Sequence, residues 1–226
     1  MSKRIYLSGG SKGGVGKSLV SMAVIDYLQE RGETVLLIES DTSNPDVYKC
    51  YQATTETAVI NLETADGWIK LVNTCDSKPD SVIVINTQAA NSKSVTAYSE
   101  TLTATLEELK RELVTLWSIN TQRDSLALLN KYLDAVPNSL VHVVRNLHYG
   151  DVEDFDMYEE SKARTAVEAR GGKVINLPKM ADRVAKEIYS DRFSISAASK
   201  DMPIGNRAEV QRWRRHVARA FEGIIA

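Results

Sequence analysis

The chain has 226 residues, 43% of them hydrophobic and 26% charged, and its 28 lysines and arginines against 30 acids leave a formal net charge of −2. This is the composition of one soluble globular domain with a sizeable core. It excludes a disordered chain, a collagenous or coiled-coil array and a protein that binds nucleic acid through overall positive charge. No apolar run reaches the roughly 18 residues of a membrane span. Met1-Ser2-Lys3-Arg4 leads directly into a strand-like stretch, so no signal peptide is expected either.

In chain order, short apolar runs alternate with longer amphipathic stretches. Strands are expected over 5–8, 34–38, 81–86, 113–119, 140–145 and 173–177. Helices are expected over 17–31, 63–75, 94–111, 122–135, 155–170, 179–189 and 207–225, the last inside an amphipathic basic segment at 206–226. Such a rhythm predicts a single α/β domain over 1–226, with a mostly parallel sheet flanked by helices on both faces. The stretch 41–57 is the longest without a clear period, and long ordered loops in compact domains are often functional. Cys50 and Cys75 have no zinc spacing and are expected as free thiols in a reducing cytoplasm, and His142, His148 and His216 form no metal spacing.

The sharpest signal is Gly9-Gly10-Ser11-Lys12-Gly13-Gly14-Val15-Gly16-Lys17-Ser18, placed between the first strand and the first helix. Glycines allow positive φ and bring amide N–H groups close to an anion, and the helix N-terminus adds its dipole and unpaired donors. Gly13, Gly14, Val15, Gly16 and Lys17 are therefore expected to cradle phosphates, with the Ser18 hydroxyl on Mg²⁺. Ser11 stands at the first glycine of the general phosphate-loop pattern, and Lys12 is a second lysine.

Lys-Gly-Gly-Val-Gly-Lys-Ser resembles the deviant Walker A motif of the ParA/MinD ATPases, P-loop NTPases of the SIMIBI-like class. The resemblance implies ATP and Mg²⁺ as cofactors, and Lys12 as a residue that crosses a dimer interface to the partner's nucleotide. The segment 35–41 resembles that family's second strand, which ends in Asp-x-Asp. Asp41 matches the second acid, implying a role in positioning water and approaching the metal, beside the plainer role of a turn cap ahead of Thr42-Ser43-Asn44-Pro45. Glu39 stands at the first acid, with a solvated or structural acid as the plainer reading. The segment 81–87 resembles the Walker B strand with Asn86 in place of aspartate. An amide oxygen can accept from a metal-bound water but brings no charge. Slow hydrolysis is expected, and Asn86→Asp is expected to strengthen Mg²⁺ binding and raise turnover. Asn146, at the end of 140–146, resembles a family residue that contacts adenine, and Pro178 a proline whose loop lines the base; a loop cap and a strand stop are the alternatives. The two cysteines precede the Walker B strand, unlike the cluster cysteines of nitrogenase iron-protein relatives.

Segment 203–226 carries five arginines against two glutamates. Val210, Trp213, Val217, Phe221 and Ile224 form an apolar stripe, while Arg212, Arg215 and Arg219 fall on another face. That face fits a docked terminal helix with a solvated basic side, a patch for non-specific DNA, or a MinD-like membrane-surface helix. The run 151–160 has six acids and no base; it is a solvated face or a dock for a basic partner.

The resemblance implies a cytoplasmic bacterial ATPase, nucleoid-associated in some relatives, that forms a homodimer with ATP. It would serve plasmid or chromosome partition, or positioning of a DNA-transfer complex, with a DNA-binding adaptor or a conjugation or partition protein as partner. The alternatives are a nucleotide-dependent scaffold with negligible turnover, a membrane-surface positioning ATPase, and a dethiobiotin-synthetase-type ATP-dependent ligase.

Overall fold

The computed structural model describes residues 3–10, 13–88, 92–137 and 139–225. Seven strands, β1 (Lys3–Gly10), β2 (Val35–Glu39), β3 (Glu56–Val59), β4 (Val82–Asn86), β5 (Arg111–Ile119), β6 (Leu140–Asn146) and β7 (Val174–Leu177), make a sheet of order β3-β2-β4-β1-β5-β6-β7. Every strand pairing in it is parallel. A parallel sheet needs both faces covered, and β2 and β4 accordingly read as unbroken buried runs rather than as alternating strands.

The helices are α1 (Lys17–Glu30), α2 (Asp46–Tyr51), α3 (Ala65–Ser77), α4 (Ser92–Thr103), α5 (Arg123–Ala135), α6 (Asp156–Glu159), α7 (Lys162–Ala169), α8 (Asp182–Ser190), α9 (Ile195–Asp201) and α10 (Ile204–Phe221), with a 3₁₀ turn at Val152–Phe155 before α6. One face of the sheet, through Tyr6, Leu37, Val84 and Val144, packs on α1, α2, α8, α9 and α10. The other, through Ile5, Leu7, Ile83, Ile85 and Val143, packs on α3, α4, α5 and α7. Cys50 lies in the first core and Cys75 in the second, with the sheet between them, so both stay free thiols; burial pushes each up to about 11.

The departures from the sequence reading have local causes. The helix expected over 94–111 ends at Thr103; turns fill 104–110, the last of them with Lys110 left-handed at φ 52, and Arg111 begins β5. Arg111 is buried and donates to the carbonyl oxygens of Ser81, Cys75 and Lys78, which fastens the start of that strand. The helix expected over 155–170 is broken before α7, where the Ser161 hydroxyl accepts from Arg164 N–H at 3.2 Å and caps a new start. Inside the irregular 41–57 stretch lie α2 and the edge strand β3, and α9 follows α8; all three are too short to show a period.

His142 on β6 is buried, accepts the Lys173 N–H at Nδ1 (3.0 Å), and has no partner at Nε2 among the described residues. Desolvation, with Lys173 and Arg4 adding to it, pushes the imidazole down to about 4 from its ordinary 6.5. The unfolded chain therefore binds the extra proton first, and this group's share of the stability is lost as pH falls from about 6.5 through about 4. His142→Asn keeps an acceptor near Nδ1 and removes the titration. Urea unfolding of the variant is expected to show a shallower loss of stability over that window than the wild type; equal slopes would refute the assignment.

Candidate phosphate-binding site

The chain leaves β1 through Gly9 and Gly10 and enters α1 at Lys17. Between them Gly14 and Gly16 take φ values of 81 and 99, open to glycine at little cost. At Gly16 a side chain is also excluded by space, since a Cβ would lie 2.3 Å from Asn146 Nδ2. Gly16 is the N-cap of α1 and among the described residues no side chain caps the helix, which leaves its first amides to an anion.

A cavity of about 370 Å³ opens at this point. It is lined by Gly13, Gly14, Gly16, Lys17 and Ser18 of the loop and helix start, together with Asp41, Asn44, Asp46, Thr87 and Tyr189 of α8. Burial lowers the pKa of the Lys17 ammonium, and the charge of Asp41 works against that shift. The Asp41 carboxylate also accepts the Asn44 N–H at 2.9 Å, so it is a turn cap and a wall of the cavity at once. Glycine amides, a lysine, a hydroxyl and a carboxylate around one cavity are the donor set that a magnesium–nucleotide needs. Ser18 and Asp41 are among the cavity-wall oxygen donors able to hold the metal, with Asp46 and Thr87 on the same lining.

Asn86 is not among the lining residues. It lies beneath the cavity, 1% exposed, with its amide taken on both sides. Nδ2 donates to Glu39 Oε1 at 2.8 Å and Oδ1 accepts from Ser21 Oγ at 3.1 Å. Glu39 is 0% exposed and is not a solvated acid. Its carboxylate accepts from the Asp41 N–H (3.0 Å) and the Tyr48 N–H (3.3 Å) as well. Desolvation pushes it up to about 7 against those three donors, which pull the other way.

On the far side of the loop, Asn146 is a strut. Its Nδ2 donates to Val15 O at 3.0 Å and its Oδ1 accepts from His148 N–H at 3.1 Å. Tyr149 Oη donates to Gly14 O. Pro178 presents its carbonyl to Trp213 Nε1 at 2.8 Å, Arg212 donates to Lys179 O, and Glu209 accepts from Ala181 N–H. The loop after β7 is thus fastened to α10.

The stripe of Val210, Trp213, Val217 and Phe221 is buried in the core, so the apolar face proposed for a membrane surface is already covered. Of the three arginines expected on the basic face, Arg212 is held by Glu209 in two bonds of 2.7 and 2.8 Å, while Arg215 and Arg219 stand exposed. In the acidic run, Glu159 is paired with Arg145 at 2.6 Å and also with Arg164; Asp151, Glu153, Asp154, Asp156 and Glu160 are exposed. Lys12 lies outside the described residues.

Thr87, Asn44, Asp46 and Tyr189 are cavity residues that the sequence reading missed. Thr87 carried a usable signal, as the polar residue just beyond a buried strand. Tyr189 carried none, because it arrives from a helix remote in sequence.

Residues 8–187 match the family model described as the CobQ/CobB/MinD/ParA nucleotide binding domain. The chain is 66% identical over 225 residues to Protein MobD of Acidithiobacillus ferrooxidans, covering 100% of this chain and 99% of that protein. It is 25% identical to Protein TraL of Escherichia coli over 94% of each chain. The fold is similar to that of the septum site-determining protein MinD of Pyrococcus horikoshii, solved with Mg-ADP, at a TM-score of 0.57, with 14% identity over 100% of this chain and 99% of that one. By sequence match and by fold, the chain belongs to the CobQ/CobB/MinD/ParA nucleotide-binding family.

Proposed function

We propose that this protein is an ATP-dependent dimerising switch that hydrolyses ATP slowly. The observation that carries the reading is the cavity of about 370 Å³ that the glycine loop, Lys17 and Ser18 line together with Asp41. The loop amides and Lys17 bind phosphate, Ser18 and Asp41 hold Mg²⁺, and Asp41 orients water for in-line attack. Bound Mg²⁺ supplies charge neutralisation on the phosphates. Asn146 sets the loop from the side where the base would sit, beside the Pro178 loop. Lys12 is superfluous to a self-contained site already holding Lys17, and reaches the nucleotide of a second copy. Assembly with ATP and release after hydrolysis would time partition of a plasmid or chromosome, or placement of a DNA-transfer complex, in the cytoplasm. Arg215 and Arg219 offer backbone phosphates a non-specific contact that dimerisation doubles. Among the described residues no helix is long and apolar enough to cross a membrane.

Light scattering with a non-hydrolysable ATP analogue tests the switch. The wild type is expected to dimerise, and Lys12→Ala to remain monomeric while binding the analogue nearly as tightly. A variant that dimerises like the wild type would overturn the role of Lys12. The engaged Asn86 amide favours a second reading, a nucleotide-dependent scaffold with negligible turnover; a multiple-turnover assay separates the two.

A further inference from the structure

The acid expected on β4 is an amide, and directly beside it on β2 stands an acid. The register pairs Glu39 with Asn86 across adjacent strands, and the two side chains meet at 2.8 Å, fully buried. This pair is the middle of a buried polar chain whose members adjoin lining residues in sequence, Asn86 beside Thr87 and Glu39 two before Asp41. On one side Asn86 Oδ1 takes the hydroxyl proton of Ser21, one turn along α1 from Ser18. On the other side the Glu39 carboxylate takes the N–H groups of Asp41 and Tyr48. Its members join the helix that carries Lys17 and Ser18 to the loop that carries Asp41, Asn44 and Asp46.

We propose that Glu39 is the positioning acid of this site, and that Asn86 is the amide that fits the carboxyl group buried beside it on β2. The inference rests on the nucleotide-binding reading. Its physical basis is complementarity. Glu39 presents only acceptors to its surroundings, so the group opposite must donate, and an amide donates where a carboxylate cannot. The same amide must accept from Ser21, which it does with its other end. A buried network of this kind is stabilising only when every member is satisfied. An aspartate at 86 would set one carboxyl oxygen against another, a contact that holds only if the pair takes up a shared proton and gives up the amide's N–H. Glu39 does not line the cavity, so it acts through the backbone of Asp41 and the placement of α1. Loss of such an outer partner typically costs about 10- to 100-fold in metal affinity.

The sign of the Asn86→Asp effect therefore reverses from the one suggested by motif resemblance. The experiment compares the wild type, Asn86→Asp and Glu39→Gln/Asn86→Asp. Each is titrated with a fluorescent ATP analogue in Mg²⁺ and in EDTA, and the thermal midpoint is recorded. Asn86→Asp is expected to reduce the gain in affinity due to Mg²⁺ by about 10-fold or more. The double exchange again sets one acid against one amide, but the side-chain NH2 that then meets the new carboxylate also meets the Asp41 N–H, which shares that Glu39 oxygen in the wild type. The double variant is therefore expected to stay as low as the single. A purely structural pair would move the midpoint and leave the Mg²⁺ gain unchanged, which overturns the proposal. So would an Asn86→Asp protein that binds the magnesium–nucleotide as well as the wild type, or a double variant that regains the gain with its acid on β4 alone. Failure of the wild type to bind the analogue at all would instead overturn the nucleotide-binding reading.

Discussion

Gly16→Ala is expected to lose about 100-fold or more in affinity for an ATP analogue while the fold survives, because a misplacement of about 1 Å in a positioned group costs about that much. Two penalties coincide at this position. A non-glycine residue at φ 99 carries strain of about 1–3 kcal/mol. The new methyl would also lie 2.3 Å from Asn146 Nδ2. That amide cannot give way easily, because Val15 O and His148 N–H hold it at both ends in a buried setting. The loop has to move, and its N–H groups leave the positions that converge on the cavity. Gly32 supplies the control: its φ is 78 but nothing lies within 4 Å of its would-be Cβ. Gly32→Ala should pay the backbone strain and bind nucleotide normally. Removing the obstacle in Gly16→Ala/Asn146→Ala should recover part of the lost affinity if the clash dominates. Fluorescence titration decides, and a Gly16→Ala protein that binds like the wild type would refute the geometry.

The arginines of α10 are expected to separate into those that hold the fold and those free to meet a partner. Arg214 donates to both Asp26 oxygens, at 2.8 and 3.0 Å, and pairs with Glu30 at 2.8 Å. Asp26 is buried; desolvation raises its pKa, and Arg214 is the first group that pulls it back. Removing one partner of a buried pair typically costs about 3–5 kcal/mol, because the other charge is left uncompensated. Arg214→Ala should therefore lose stability of that order in urea unfolding. Arg215→Ala and Arg219→Ala should stay within about 0.5 kcal/mol of the wild type, as exposed substitutions do. In DNA binding the order inverts: Arg215→Ala/Arg219→Ala should bind more weakly than the wild type and with a flatter salt dependence, the log–log slope falling by about 0.9 for each backbone phosphate left without its arginine. Arg212→Ala tests a third role, since Arg212 fastens Lys179 O in the loop after β7. It should weaken nucleotide binding more than DNA binding. If all four substitutions behave alike in both assays, the separation is wrong.

Much of this protein is legible from residues alone, and the reason is local. The phosphate loop needs glycines at set positions between a strand and a helix, and Gly14, Gly16, Lys17 and Ser18 state that requirement in a few consecutive letters. Strands buried on both faces have to be apolar throughout, so Val82–Ile85 announces itself before any fold is known. The apolar stripe of α10 likewise declares a buried face through its spacing. Other features depend on which distant groups share a space, and no local pattern records them. Asn86 reads in the sequence as a lost acid; only the parallel register of β2 and β4 sets it against Glu39 and makes the amide the fitting partner. Asn146 reads as a contact for a base, and the fold shows its amide committed to Val15 and His148. Arg212 and Arg215 share one face of the helical wheel, yet the tertiary structure gives Glu209 to the first and leaves the second exposed, while Arg214, off that face, takes Asp26. Periodicity reports the environment of a residue averaged over a turn or a pleat, whereas the partner of a buried polar group is fixed by elements that meet only when the chain has folded.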